Sequence, residues 1–199
     1  MAGARLSPVG SKRLAALALI VVAGLAATAC AAPQARRLKR FEATLAAQDS
    51  ATAALRQWCA AEGIADPSKI IAVPVRDAVR AEPDELRAAL AVSADEPLGY
   101  RHVRLVCGDT VLSDAHNWFV PGLLSAEMNA ALAATDTPFG TIAAPLGFRR
   151  ERLTSMRGPS PDCPPETVLA HHALLRLPDG RPLAFLVECY TAANLATPG

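Results

Sequence analysis

Between Tyr100 and Val120 the chain reads YRHVRLVCGDTVLSDAHNWFV, two runs of extended-type residues joined by Cys107-Gly108-Asp109-Thr110. Turn chemistry between two such runs specifies a β-hairpin, and the rest of the chain has to be arranged around it. Side chains two apart share a face of a strand. Arg101 therefore projects with Val103, Leu105 and Cys107, while His102, Arg104 and Val106 point the other way. In the second strand Leu112, Asp114, His116, Trp118 and Val120 share one face, and Val111, Ser113, Ala115, Asn117 and Phe119 the other. Both faces mix polar with apolar groups, the composition of a strand that lines a cavity over part of its length. A guanidinium held among core-facing residues needs an anion. The fork of Arg101 fits a carboxylate of the protein or of a ligand equally well.

A second hairpin closes the chain: Val168 to Leu177, the turn Pro178-Asp179-Gly180, and Leu183 to Thr191. Its last strand, LAFLVECYT, is apolar on both faces, as a central, doubly covered strand should be. Glu188 lies inside this run, on the face of Ala184, Leu186 and Tyr190. A lone buried carboxylate is costly, so Glu188 must be paired, protonated or in contact with a ligand. Two arrangements are open. Arg101 and Glu188 form a structural ion pair, or they line one pocket, where Arg101 forks onto a ligand carboxylate while Glu188 meets a hydroxyl or moves a proton.

Ahead of the first hairpin, Leu38, Phe41, Leu45, Leu55 and Trp58 recur at helical spacing in an Ala-rich stretch. This predicts one long helix to about Ala61, stopped at Gly63. Ile70, Ile71, Val73 and Val75, interrupted by Pro74, predict an edge strand, and Pro83-Asp84-Glu85 starts a brief helix through Leu90. Ser125 caps a helix to about Ala134 whose buried stripe is Leu124, Met128 and Leu132. Thr137-Pro138-Phe139-Gly140 makes a tight corner. Thr141 to Ala144 and Phe148 to Leu153 read as extended, with Arg149, Arg150 and Arg152 on a solvated edge from which one can turn inward. Thr154 to Thr167, rich in Pro, Ser and Gly, reads as an irregular excursion.

Of 199 residues, about half are apolar, enough for one sizeable core. Residues 1–29 have the layout of an export signal: Arg5, Lys12 and Arg13 precede the apolar run Leu14 to Ala27, which ends in small residues before Cys30. The expected organisation is thus a signal over 1–29, an N-terminal helix and edge strand over 33–99, and a core over 100–195. Cleavage after Ala29 or Ala32 would release a periplasmic or secreted protein; acylation of Cys30 would tether it to a membrane. A lipoprotein signal usually has Leu three residues before the Cys, where Ala27 stands here. Without the three cations of the signal the formal charge falls from +1 to about −2, which leaves no basic face for nucleic acid. In an oxidising compartment Cys59, Cys107, Cys163 and Cys189 allow two disulfides in three pairings, or Cys107 and Cys189 are simply small buried strand residues.

Other chemistries find little support. Ser113, Asp114 and His116 are neighbours on one strand and cannot supply triad geometry, and there is no Gly-x-Ser-x-Gly elbow. His171 and His172 face opposite sides of a strand, no Cys or His spacing matches a zinc site, and there is no glycine loop for phosphate. Neither metal nor cofactor is expected.

The run from Arg101 through Cys-Gly-Asp, the strand ending Val120-Pro121, the helix after it, the corner Thr137 to Gly140, and the closing hairpin with Gly-Arg-Pro-Leu and Glu188 together resemble chorismate lyase, over Tyr100 to Leu195. The resemblance implies an α+β fold, an antiparallel sheet with helices packed on it, shared with small-molecule-sensing domains of bacterial transcription regulators. It also implies a cofactor-free reaction in which chorismate loses pyruvate to leave 4-hydroxybenzoate, the protein chiefly holding the substrate and placing charge. By resemblance Arg101, or His102 one residue on, takes the carboxylate-binding position. Glu188 would engage the ring hydroxyl and proton movement, and Met128 and Leu132 would line the cavity. Asn117 stands where chorismate lyase has a second arginine, a loss of a cation for which Arg149 or Arg150 could compensate. An exported protein is also separated from cytoplasmic chorismate. The expected ligand is a small aromatic or cyclic carboxylate, either turned over or only held; a structural envelope protein with a vestigial pocket is the third alternative.

Overall fold

The structure, a computed structural model, describes residues 33–76 and 80–196; the export-signal segment and Cys30 lie outside the described residues. The chain divides into one unit ending at Lys39 and a second from Arg40 onward. In the first, the described residues are helical.

The long helix expected to Ala61 is two helices, α1 (33–46) and α2 (Ala51–Ala61). The break falls at Gln48-Asp49-Ser50, polar residues whose side chains compete with the backbone ladder. Ser50 adopts extended backbone and its Oγ accepts from the Ala53 amide, capping α2. The apolar spacing survives the break because Phe41, Leu45, Leu55 and Trp58 are all buried.

Among the described residues six antiparallel strands follow: β1 (Ile70–Pro74), β2 (Gly99–Cys107), β3 (Thr110–Phe119), β4 (Arg149–Arg157), β5 (Thr167–Arg176) and β6 (Pro182–Thr191). Their order across the sheet is β1-β2-β3-β6-β5-β4. The apolar strand β6 is central, as its sequence predicts, and the Pro-bearing β1 is an edge. The other edge is β4, which is longer than the extended run expected there, so the irregular excursion shrinks to 158–166. Gly108, at φ +56, supplies the left-handed backbone of the first hairpin turn.

Helix α3 (Leu86–Leu90) lies over one face, burying Leu86 and Leu90 with Trp118, Phe185 and Val187. Over the other face come α4 (Ala126–Ala134) and α5 (Phe139–Ile142). Leu132 and Phe139 from these two helices pack with Ala173, Leu175, Ala184 and Leu186 of β5 and β6. Phe41 meets Tyr190 of β6 edge-on with ring centroids 5.2 Å apart, on this same face. Helix α5 corrects the extended reading of Thr141 to Ala144: the amides of Thr141 and Ile142 both turn back to the Pro138 carbonyl. Ser125 caps α4 by accepting from the Met128 amide, as expected. No helix among the described residues is long and apolar enough to cross a membrane.

Of the three cysteine pairings, the structure has Cys59–Cys107, joining α2 to β2, and Cys163–Cys189, joining the 158–166 segment to β6. By the chain-entropy account, loops of 48 and 26 residues each contribute about 4 kcal/mol.

Candidate functional site

Strand register decides which charges meet. Arg101 lies opposite Asn117 and Asn117 opposite Leu186, whereas Glu188 lies opposite Ala115. Arg101, Asn117 and Glu188 therefore share the α4/α5 face, with Arg101 two strands and one pleat repeat away from Glu188. The structural pair between Arg101 and Glu188 that the sequence left open does not form.

The partner of Glu188 is Arg150. Although β4 is an exposed edge, Arg150 alone among its expected solvated arginines turns inward, its side chain 4% exposed and that of Glu188 3%. The Arg150 guanidinium donates to both Glu188 oxygens and, at 2.9 Å, to Nδ1 of His171. The Tyr190 hydroxyl donates to Glu188 Oε2 at 2.9 Å. Burial by itself would raise the Glu188 carboxyl, but the charge and hydrogen bonds of Arg150, with His171 and Tyr190, hold it below the usual carboxylate range. Burial pulls His171 down to about 4 against the opposing pull of Glu188. Burial and the adjacent Glu188 charge push the Tyr190 phenol well above its ordinary value. The group is a closed Arg⁺–Glu⁻ pair with a neutral imidazole and a neutral phenol. His171 Nδ1 accepts, and its buried Nε2 has no hydrogen-bond partner among the described residues.

Above this floor lies a narrow hollow lined by Val103, Ala115, Asn117, Leu186 and Glu188, and roofed by Ser50, Thr52, Phe139, Gly140 and Phe148. The roof sits low because Gly140 lacks a Cβ, which would collide with Ser50 Oγ. As closed here the hollow has room for about two water molecules, so a six-membered ring requires the roof to lift.

Arg101 opens instead onto a surface groove with Tyr100, Asn129, Leu132 and Thr135. Its guanidinium donates to the carbonyl oxygens of Thr137 and Thr135 at 3.2 and 3.3 Å and has no carboxylate partner among the described residues. Desolvation lowers its pKa from the ordinary value.

The other expected residues scatter. His102 faces the opposite side of the sheet, where its Nε2 lies 2.7 Å from Asp114 Oδ1. Asn117 lines the hollow beside Glu188, Leu132 is shared between the groove and the apolar cluster, and Met128 packs on that cluster partly buried. Arg149 is exposed on β4 opposite Arg176 and does not compensate for Asn117. The sequence reading missed His171 and Tyr190 as partners of Glu188. The signal for Tyr190 was present, since it shares a face with Glu188 two residues away.

No protein-family model matches the chain. The effector domain of PhnF from Mycobacterium smegmatis superposes with a TM-score of 0.50 at 11% identity, covering 72% of this chain and 88% of that one. Full-length PhnF from the same organism gives 0.51 at 12% identity, covering 75% of this chain and 66% of that one. The fold is the expected α+β, chorismate lyase-like one. Uncharacterized protein y4mC of Sinorhizobium fredii is 40% identical over 173 residues, covering 77% of this chain and 73% of that one. On that extent of shared sequence, the chain belongs to the family of y4mC.

Proposed function

We propose that this protein is an exported binding protein for a small aromatic or cyclic carboxylate, held through Arg101 without turnover. The observation that carries this reading is the contrast in partners: among the described residues Arg101 is a partly desolvated cation that donates only to two carbonyl oxygens, so a carboxylate completes its surroundings. Likeness to an effector domain supports small-molecule binding at the level of fold alone. Export is supported by the charged, apolar and small-residue order of residues 1–29 and by four cysteines placed as two disulfides. Acylation at Cys30 would add a membrane tether.

A lyase reading rests on Glu188 and Asn117 lining one hollow on the Arg101 face. Two features favour holding over turnover. Glu188 is already neutralised by Arg150, and Asn117 leaves one fewer cation for a dicarboxylate such as chorismate.

Calorimetric titration of the purified protein with 4-hydroxybenzoate and with neutral 4-hydroxybenzamide tests the reading. Binding of the acid only, lost in Arg101→Leu, supports it; equal binding of both, or of neither, overturns it. Pyruvate released from chorismate would establish the lyase instead.

A further inference from the structure

On the sheet face away from the hollow, the first hairpin assembles a cluster that spacing along the chain conceals. His102 of β2 lies opposite His116 of β3, and Asp114 is on the same face two residues before His116. The nearest ligand-type atoms of these three side chains all lie within 4.8 Å of one another. Asp114 Oδ1 sits 2.7 Å from His102 Nε2 and 3.9 Å from His116 Nε2. Four-coordinate zinc bound at about 2.0–2.1 Å holds its ligand atoms roughly 3.3 Å apart, so each Asp114 separation must change by about 0.6 Å and the histidine–histidine separation, which is within 4.8 Å, by up to about 1.5 Å.

The outer atoms of His116 and Asp114 are engaged in a way that turns their ligand atoms toward one another. The Tyr100 hydroxyl lies 2.8 Å from His116 Nδ1 and leaves Nε2 turned toward Asp114. Arg104 donates to Asp114 Oδ2 at 3.4 Å and leaves Oδ1 toward the histidines. Outer partners of this kind orient metal ligands and set the imidazole tautomer. The site is also reachable. The three side chains are 9–11% exposed, and Asp114 borders a surface groove with Arg104, Pro164, Glu166 and Thr167.

We propose that His102, Asp114 and His116 form a binding site for a divalent transition metal ion of the zinc class. It lies across the sheet from the carboxylate site and does not depend on it.

The test uses the tag-free full-length chain, stripped with a chelator and titrated calorimetrically with Zn²⁺ at neutral pH. The expected result is one equivalent bound, with Co²⁺ in its place giving the visible spectrum of four-coordination. Asp114→Asn, His102→Gln and His116→Gln should each weaken binding at least tenfold. Tyr100→Phe, which keeps every ligand atom, should weaken it about 10- to 100-fold. His172→Gln, outside the cluster, should bind as the parent does. Absence of a stoichiometric site in the parent protein overturns the proposal, whatever the variants do. Undiminished binding in the three ligand variants overturns it too, and leaves the cluster as a hydrogen-bonded His-Asp-His chain.

Discussion

One face of the sheet carries two arginines in opposite surroundings. In the floor of the hollow, Arg150 is closed in between Glu188 and His171. Burial would lower its pKa, but the Glu188 charge outweighs that and raises it above the ordinary value. In the groove, Arg101 is only half-buried, yet desolvation lowers its pKa, and among the described residues it donates only to carbonyl oxygens. Depth alone therefore does not mark a ligand-binding cation. A buried charge with its counter-charge in place is architecture, whereas a shallower charge without one has capacity left for a ligand.

The comparison breaks most visibly at Arg150. Arg150→Leu leaves Glu188 buried and uncompensated, which should cost about 3–5 kcal/mol, read from urea unfolding at neutral pH. The double variant Arg150→Met/Glu188→Leu should recover most of that loss. If Arg150→Leu alone is as stable as the parent, the floor is not architectural.

Acid tests the same floor through His171. Its folded pKa of about 4 lies below the unfolded value of 6.5. As pH falls below 6.5 the unfolded chain takes up a proton that the native imidazole refuses, so stability present at neutral pH drains away down to about pH 4. Glu188, also lowered in the fold, adds loss in the same direction at still lower pH. Between pH 6.5 and pH 5 the His171 contribution amounts to about 2 kcal/mol. In His171→Gln that slope should flatten in urea titrations run at both pH values.

At Arg101 the expected pattern reverses. Arg101→Leu should cost the fold less than about 1 kcal/mol, the size of ordinary hydrogen bonds. It should nevertheless weaken 4-hydroxybenzoate at least tenfold, the scale of a charge-assisted pair. A large loss of stability would place Arg101 with Arg150 and erase the distinction. At the bottom of the scale, the solvent-exposed Arg157, paired with Glu42, should be replaceable by Ala with no measurable shift in urea midpoint.

Much of the fold was legible because it rests on local patterns. Cys107-Gly108-Asp109-Thr110 and Pro178-Asp179-Gly180 place both hairpins, Pro74 marks an edge, and the two-sided apolar run around Glu188 marks the central strand. Local patterns also misled. The helical spacing of Phe41, Leu45, Leu55 and Trp58 passed through a break at Ser50, because two separate helices bury the same kinds of residue at the same period. The candidate site was legible only in part. Period-two alternation put Arg101 and His102 on opposite faces of one strand, but it could not gather Arg101, Asn117 and Glu188 on one face of the sheet, which strand register decided. Nor could alternation say that Arg150, 38 residues before Glu188, would be its partner.

By itself, then, the sequence determined where both hairpins turn, which strand lies centrally, and that a carboxylate and a guanidinium would be embedded in the sheet. These follow from side-chain period and turn stereochemistry, which act over a few residues. Only the tertiary structure decided that Glu188 takes Arg150 rather than Arg101, that Cys59 takes Cys107 and Cys163 takes Cys189, and that two histidines and an aspartate converge on the far face. Such choices depend on strand order and register, which bring side chains distant along the chain within hydrogen-bonding reach.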